Sequence, residues 1–170
     1  MGRSERNPMD IMNALLELLQ KDARLSTSQM ADRLGRSEAD VAAMLDSLLN
    51  DGAILGFHAV VDQEKVGNHR VSAIIEVKLT PEREGGFDRL ARRIAKFDQV
   101  SNCYLMSGGY DLSVIVEGDD LREVARFVSE KLSTLGGVLS TATHFQLKVY
   151  KQNGFEASDP HQDERLPVTP

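Results

Sequence analysis

The chain has 170 residues, 41% of them hydrophobic and 27% charged, which is the composition of an ordinary globular protein. No apolar run approaches the roughly 18 residues of a membrane span, and the opening MGRSERNPMD holds no apolar core of a secretory signal, so no leader and no membrane association are expected. A net charge of −6 argues against indiscriminate polyanion binding, and the lone Cys103 excludes an internal disulfide and fits a reducing cytoplasm.

The charge is uneven. Residues 1–62 carry 6 Lys+Arg against 10 Asp+Glu (−4), residues 63–153 carry 13 against 12 (+1), and residues 154–170 carry 1 against 4 (−3). No segment is a basic block.

Residues 1–7 are polar and are expected to be disordered. Pro8 suits the first turn of a helix, and Ile11, Ala14, Leu15 and Leu18 recur at i, i+3, i+4, i+7, with Leu16 and Leu19 widening the stripe. Ser26 and Gln29 form a capping-box pattern; Met30, Ala31 and Leu34 give a short apolar face that Gly35 terminates. Ser37 can cap again, ahead of the stripe Val41, Met44, Leu45, Leu48, which ends near Asn50-Asp51-Gly52. Two short helices on either side of a tight Gly35-Arg36 turn, with a helix before them, form the helix-turn-helix pattern. Residues 53–62 (AILGFHAVVD) read as a strand in the place of a wing, and residues 63–67 as a connector.

Residues 70–80 predict a strand with Val71, Ala73, Ile75, Val77 and Leu79 on one side. Phe87, Leu90, Ala91 and Ile94 mark an amphipathic helix whose polar side, Arg89, Arg92, Arg93 and Lys96, reads as a solvated face. Residues 100–106 and 111–117 then predict a hairpin closed by Ser107-Gly108-Gly109-Tyr110, the glycines supplying the backbone freedom a tight turn needs. Cys103 sits in its first strand as a small hydrophobe, with no neighbouring pattern that supports a nucleophile. Asp119-Asp120 can cap a helix carrying Leu121, Val124, Ala125, Val128, Leu132 and Leu135, ended by Gly136-Gly137. Residues 138–151 read as the last strand, and the tail after Gly154 as unstructured. The order β-α-β-β-α-β predicts a ferredoxin-like α+β sandwich with the 71–79 and 111–117 strands central. Helices cover one sheet face; the other carries apolar side chains, so a second copy of the chain is expected there.

With those segments in view the sequence resembles the leucine-responsive regulator/AsnC (Lrp/AsnC, feast/famine) family of transcriptional regulators. The resemblance spans about residues 9–151 and is carried by LLQKDARLSTSQMADRLGRS, NDGAILGFHAVVDQEKVG, YLMSGGYDLSVIVEG and GVLSTATHFQLKVYK in that order. It implies a winged helix-turn-helix DNA-binding domain over 8–62, a linker over 63–69, and a ferredoxin-like effector-binding and oligomerisation domain (RAM-type) over 70–152, with a disordered tail over 153–170. It also implies a homo-oligomer that binds promoter DNA under the control of a small effector, usually an amino acid, with no cofactor, no metal and no catalysis.

Transferred residue by residue, the resemblance places the effector at Ser107, Gly108, Gly109, Tyr110 and Asp111, together with Ser140, Thr141 and Thr143 of the last strand. Asp111 would hold an α-ammonium; the N–H groups around Gly108-Gly109 and the hydroxyls of Thr141 and Thr143 would hold a carboxylate. The alternative is that the glycines only make a turn and Asp111 only caps it. The DNA face would comprise Arg24, Arg33, Arg36, Ser37, Ala39, Ala42, Ala43 and Asp46. Here the sequence departs from the family: common basic positions fall on Ala43, Met44 and Ser47, and Glu38, Asp40 and Asp46 add negative charge, although phosphate contacts need cations.

Two other functions share the scaffold. One is an amino-acid sensor that no longer binds DNA, which the acidic reading helix would suit. The other is a haem-pathway decarboxylase-like enzyme, whose Arg-rich wing is replaced here by Ile54-Leu55-Gly56-Phe57; His58, His69 and His144 are unclustered in sequence.

Overall fold

Asn7 and Pro8 start the first helix of the computed structural model, which describes residues 7–81 and 87–157. In α1 (Pro8–Lys21) the Asn7 side chain accepts the Met9 N–H at 3.3 Å, and Asp10 and Lys21 complement the helix dipole at its two ends. Ile11, Leu15 and Leu19 are buried, while Ala14 and Leu18 lie at the half-buried margin. Ahead of α2 (Thr27–Leu34) the capping box forms as the sequence predicts: Ser26 Oγ accepts the Gln29 N–H at 3.2 Å and Gln29 Oε1 accepts the Ser26 N–H at 2.9 Å. Gly35 takes the left-handed conformation (φ 65°), and the Arg36 N–H reaches back to the Ala31 carbonyl at 3.0 Å. That reversal delivers the chain into α3 (Glu38–Asn50), capped by Ser37 Oγ on the Asp40 N–H at 3.1 Å. The three helices share one core around Leu15, Met30, Ala31, Val41 and Leu48.

The expected wing strand is corrected. Residues 53–54 form a bend and residues 55–62 join no ladder. A strand exists only through a pairing partner, and no described segment of residues 7–59 offers one. Ile54 alone turns into the helical core, its N–H bonded to the Leu48 carbonyl at 3.0 Å, while Leu55 and Phe57 stand 97% and 52% exposed. The chain divides into two compact units between Ala59 and Val60.

In the second unit β1 (Val71–Leu79), β2 (Val100–Leu105), β3 (Leu112–Gly118) and β4 (Val138–Phe145) form an antiparallel sheet in the order β2-β3-β1-β4, with β1 and β3 central as the ferredoxin-like reading predicts. One face packs on α4 (Asp88–Ile94) and on α5 (Leu121–Arg126), which continues as a π-helical turn (Phe127–Leu132). Alternation decides the sides. Ala73, Ile75 and Val77 meet Leu112, Val114 and Val116 under Ile94, Val124, Phe127 and Leu132. Ile74, Glu76, Ile115 and Tyr104 lie on the opposite face, where His144 Nε2 is 3.4 Å from Glu76 Oε1. Ile115, which breaks the polar alternation in the sequence, is therefore an open-face residue, half-buried only by its own sheet neighbours.

The last strand differs from the expected 138–151. β4 runs out of partner at the start of β1: Phe145 pairs Ala73, the Gln146 N–H reaches the Ser72 carbonyl at 2.9 Å, and the chain then leaves the sheet. It turns back on itself as a small hairpin, β5 (Lys151–Gln152) with β6 (Phe155–Glu156), through Asn153 (φ 49°) and Gly154 (φ 88°). Two successive positive-φ residues make the tight turn that Asn-Gly favours. The expectation of no structure after Gly154 is corrected for Phe155–Glu156; its remainder, 158–170, and residues 1–6 lie outside the described residues.

Candidate functional site

The hairpin turn of the second unit is organised by Asp111. Its carbonyl accepts the Met106 N–H at 2.8 Å and closes the hairpin towards β2. Its N–H donates to the Val77 carbonyl at 3.0 Å, towards β1. In regular antiparallel pairing one residue's N–H and carbonyl serve the same neighbouring strand. Here the carbonyl has turned away, and the side chain takes its place: Asp111 Oδ2 accepts the N–H of buried Leu79 at 2.7 Å. This is where the β1–β4 register slips between Lys78 and Leu79. The capping role that the sequence leaves open for Asp111 is therefore filled, and by a contact 32 residues away. Among the described residues Oδ2 is the carboxylate oxygen in a hydrogen bond. In the turn Ser107, Gly108 and Gly109 are exposed and Tyr110 is half-buried. Gly108 has φ 141°, a backbone that side chains avoid, whereas a Cβ at Gly109 would meet open space.

The last-strand residues are split. Thr141 and Thr143 pair with Val77 and Ile75 and lie on the helix side of the sheet; Ser140 pairs with Lys78 and lies on the open side. Strand alternation separates Ser140 from the two threonines, so the three do not make one polar wall. Thr141 Oγ1 is 3.2 Å from Ser133 Oγ after the π turn. Asp111 and Thr141 both flank Val77, one on each side of β1, at the same end of the sheet.

Two adjoining cavities lie at the other end of that sheet. One, of about 320 Å³, is lined by Val61, Val149, Tyr150 and Phe155 among others. The second, of about 440 Å³, is walled by amides and charges including Asn68, His69 and Gln146. The sequence holds one signal for this region, the Asn153-Gly154 dipeptide that builds the hairpin.

On the helical unit, Arg24, Arg33, Arg36, Ser37, Ala39, Ala43 and Asp46 were expected at the DNA with Ala42; Arg24, Arg33, Arg36, Ser37, Ala39 and Asp46 all reach the surface, and Ala42 is half-buried. Glu38 and Asp40 occupy the first turn of α3, where they favour the helix dipole but repel phosphate. The Ser37 cap already occupies the Asp40 N–H, which removes one donor from any anion.

Burial against the core pushes the Cys103 thiol above its usual range, and the thiol leans towards the Ala91 carbonyl at 3.9 Å, so it is chemically quiet. Among the described residues no His, Cys, Asp and Glu group is placed to hold a metal, and no helix is long and apolar enough to cross a membrane.

Comparison with known proteins gives two family matches: winged helix-turn-helix DNA-binding over residues 10–54 and Lrp/AsnC ligand binding domain over residues 72–154. A Bacillus subtilis protein named as an uncharacterized HTH-type transcriptional regulator, YugG, is 45% identical over 92% of this chain and 95% of its own length. The Mycobacterium tuberculosis leucine response regulatory protein LrpA shares the fold with a TM-score of 0.71, at 23% identity, over 88% of this chain and 99% of that one. The Neisseria meningitidis transcriptional regulator NMB0573, solved as a complex with L-Met, gives 0.65 at 23% identity, over 86% of this chain and 92% of that one.

Proposed function

This chain belongs to the Lrp/AsnC family of DNA-binding transcriptional regulators, and from that premise we propose that its DNA binding is set by a free amino acid held at the Asp111 turn. One observation carries the reading: a DNA-binding helix-turn-helix match and a ligand-binding-domain match lie in order on one chain. The family makes it a regulator and not an enzyme. The L-Met bound to the Neisseria relative supports an amino acid as the effector class.

In this reading Asp111 does two things. Oδ2 keeps the Leu79 N–H, and Oδ1 takes the α-ammonium. The exposed N–H groups at Gly108-Gly109, with Ser107 and Tyr110 beside them, take the carboxylate. Thr141 and Thr143 belong to the helix-side surface near that turn, and Ser140 acts only through a neighbouring copy on the open side. On the DNA side Arg24, Arg33 and Arg36 supply the phosphate contacts, and Ser37, Ala39, Ala43 and Asp46 face the major groove, Asp46 close to its phosphates, with Ala42 at the edge. The protein works in the cytoplasm, where its DNA is.

The test is fluorescence anisotropy of a duplex carrying the native upstream region, with each of the twenty amino acids added in turn. At least one should shift the midpoint, and Asp111→Asn should remove that shift. A midpoint that none of them moves ends the effector reading.

The open sheet face supports a homo-oligomer. Ile74 and Tyr104 are 42% and 50% exposed on it, and no second layer of the described chain covers them. Two such faces brought together would bury them in a two-fold contact. Light scattering at micromolar concentration should give at least a dimer, and Ile74→Asp should drive it towards monomer. A parent chain that is monomeric there refutes the face-to-face assembly.

A further inference from the structure

We propose that the two adjoining cavities at the β5–β6 hairpin form a second small-molecule site, for a free amino acid with a large apolar side chain. Lys148 takes its carboxylate, Glu64 its ammonium, and Val61, Tyr150 and Phe155 its side chain. Both cavities are lined by Glu64 and Lys148, so one cation and one anion stand on their common wall.

Several charges nearby are already engaged. Glu156 pairs with Lys151 at 3.8 Å, and Arg70 reaches Glu117 at 3.5 Å and Asp119 at 3.7 Å. Asp62 Oδ1 accepts the Lys65 N–H at 3.2 Å. Among the described residues Lys148, Glu64 and Asp62 have no ion-pair partner, but only Lys148 and Glu64 stand on the wall common to both cavities, where the Lys148 ammonium rests over the Tyr150 ring at 5.1 Å. A cation and a carboxylate on one wall can each take one end of a zwitterion, whereas a simple anion or cation would engage only one of them. The cavity beside them is apolar where the side chain would go, with Tyr150 76% and Phe155 58% exposed. A volume of about 320 Å³ lies at the lower end of small-molecule pockets.

The site is distinct from the Asp111 turn. Its polar half is lined by Val71 and Ser72, where β1 begins, whereas Asp111 grips Val77 and Leu79, where β1 ends. The five residue steps from Ser72 to Val77 alone put roughly 17 Å between them. Residues 60–64, the opening stretch of the second unit, form one wall, so an occupant would fix the chain where it enters that unit.

The chain has no tryptophan, so Tyr150→Trp places a single reporter in the wall. Its emission should change saturably with L-leucine, and isothermal titration of the otherwise unaltered chain with L-phenylalanine should show the same site. Glu64→Gln and Lys148→Gln should each weaken binding by about tenfold or more, and 3-phenylpropionate, which lacks the ammonium, should bind no better than L-phenylalanine binds Glu64→Gln. Asp111→Asn should leave the reporter response intact. No emission change with L-leucine, a response indifferent to both charge removals, or 3-phenylpropionate binding as tightly as L-phenylalanine would each overturn the proposal. Loss of amino-acid control over DNA binding in Asp111→Asn, with the indole introduced by Tyr150→Trp still responding, would separate the two sites. An indole signal with no duplex binding at low salt would leave this site standing alone.

Discussion

Asp46→Lys should tighten binding to any duplex and steepen its salt dependence. Asp46 is exposed on the outward side of α3, in a helix that carries Glu38 and Asp40 and no basic residue in its last turn. The second helix of such a motif enters the major groove between two phosphate chains, so a carboxylate there is repelled and an ammonium attracted. Each added phosphate contact raises the log–log salt slope by about 0.9, which by itself amounts to about threefold in affinity between 50 and 200 mM salt. That gain is multiplied by every subunit that touches the DNA. Arg36→Ala, at the turn before α3, should act in the opposite direction and flatten the slope. Anisotropy across a salt series reads both variants. If the parent shows no binding at low salt and Asp46→Lys creates none, α3 is not at the DNA.

Asp111→Ala should unfold the second unit at a distinctly lower temperature, because the loss is structural before it is functional. Without the carboxylate the N–H of Leu79, a residue only 3% exposed, has no acceptor. Leaving a buried donor unmade costs about 1–3 kcal/mol. For a unit of this size each kcal/mol moves the midpoint by about 4–8 °C, so a fall of between about 5 and 20 °C is expected by calorimetry. Asp111→Asn separates the two roles. Its amide oxygen can still accept the Leu79 N–H, so the midpoint should stay within a few degrees, but its neutral side chain offers an ammonium no charge. Amino-acid control should therefore be lost with the fold retained. An alanine variant that melts with the parent would show that the Leu79 N–H has found water, and an asparagine variant that still responds would move the ammonium elsewhere.

The helix-turn-helix was legible because its signals are contiguous. Ser26 with Gln29, Ser37 with Asp40, and Gly35 after Leu34 each act over three or four residues, and all three caps form. The four strands of the sheet were legible for the same reason, since alternation is a local property. The strand over 53–62 was misread because AILGFHAVVD has strand composition, whereas a strand also needs a partner that composition does not supply. The small terminal hairpin was missed although Asn153-Gly154 announces it; the flanking pairs are only two residues long, too short for a visible period.

By itself, then, the sequence determined the three helices of the helix-turn-helix, the four sheet strands and their order, the polarity of each sheet face and the shortage of cations on α3, all of which follow from residues close together along the chain. Only the tertiary structure decided which groups meet: that Asp111 serves Leu79, that Thr141 lies against Ser133, and that Glu64 and Lys148 share a wall. Those depend on strand register and on where β4 outruns β1, and a shift of one residue would reverse every side chain's face.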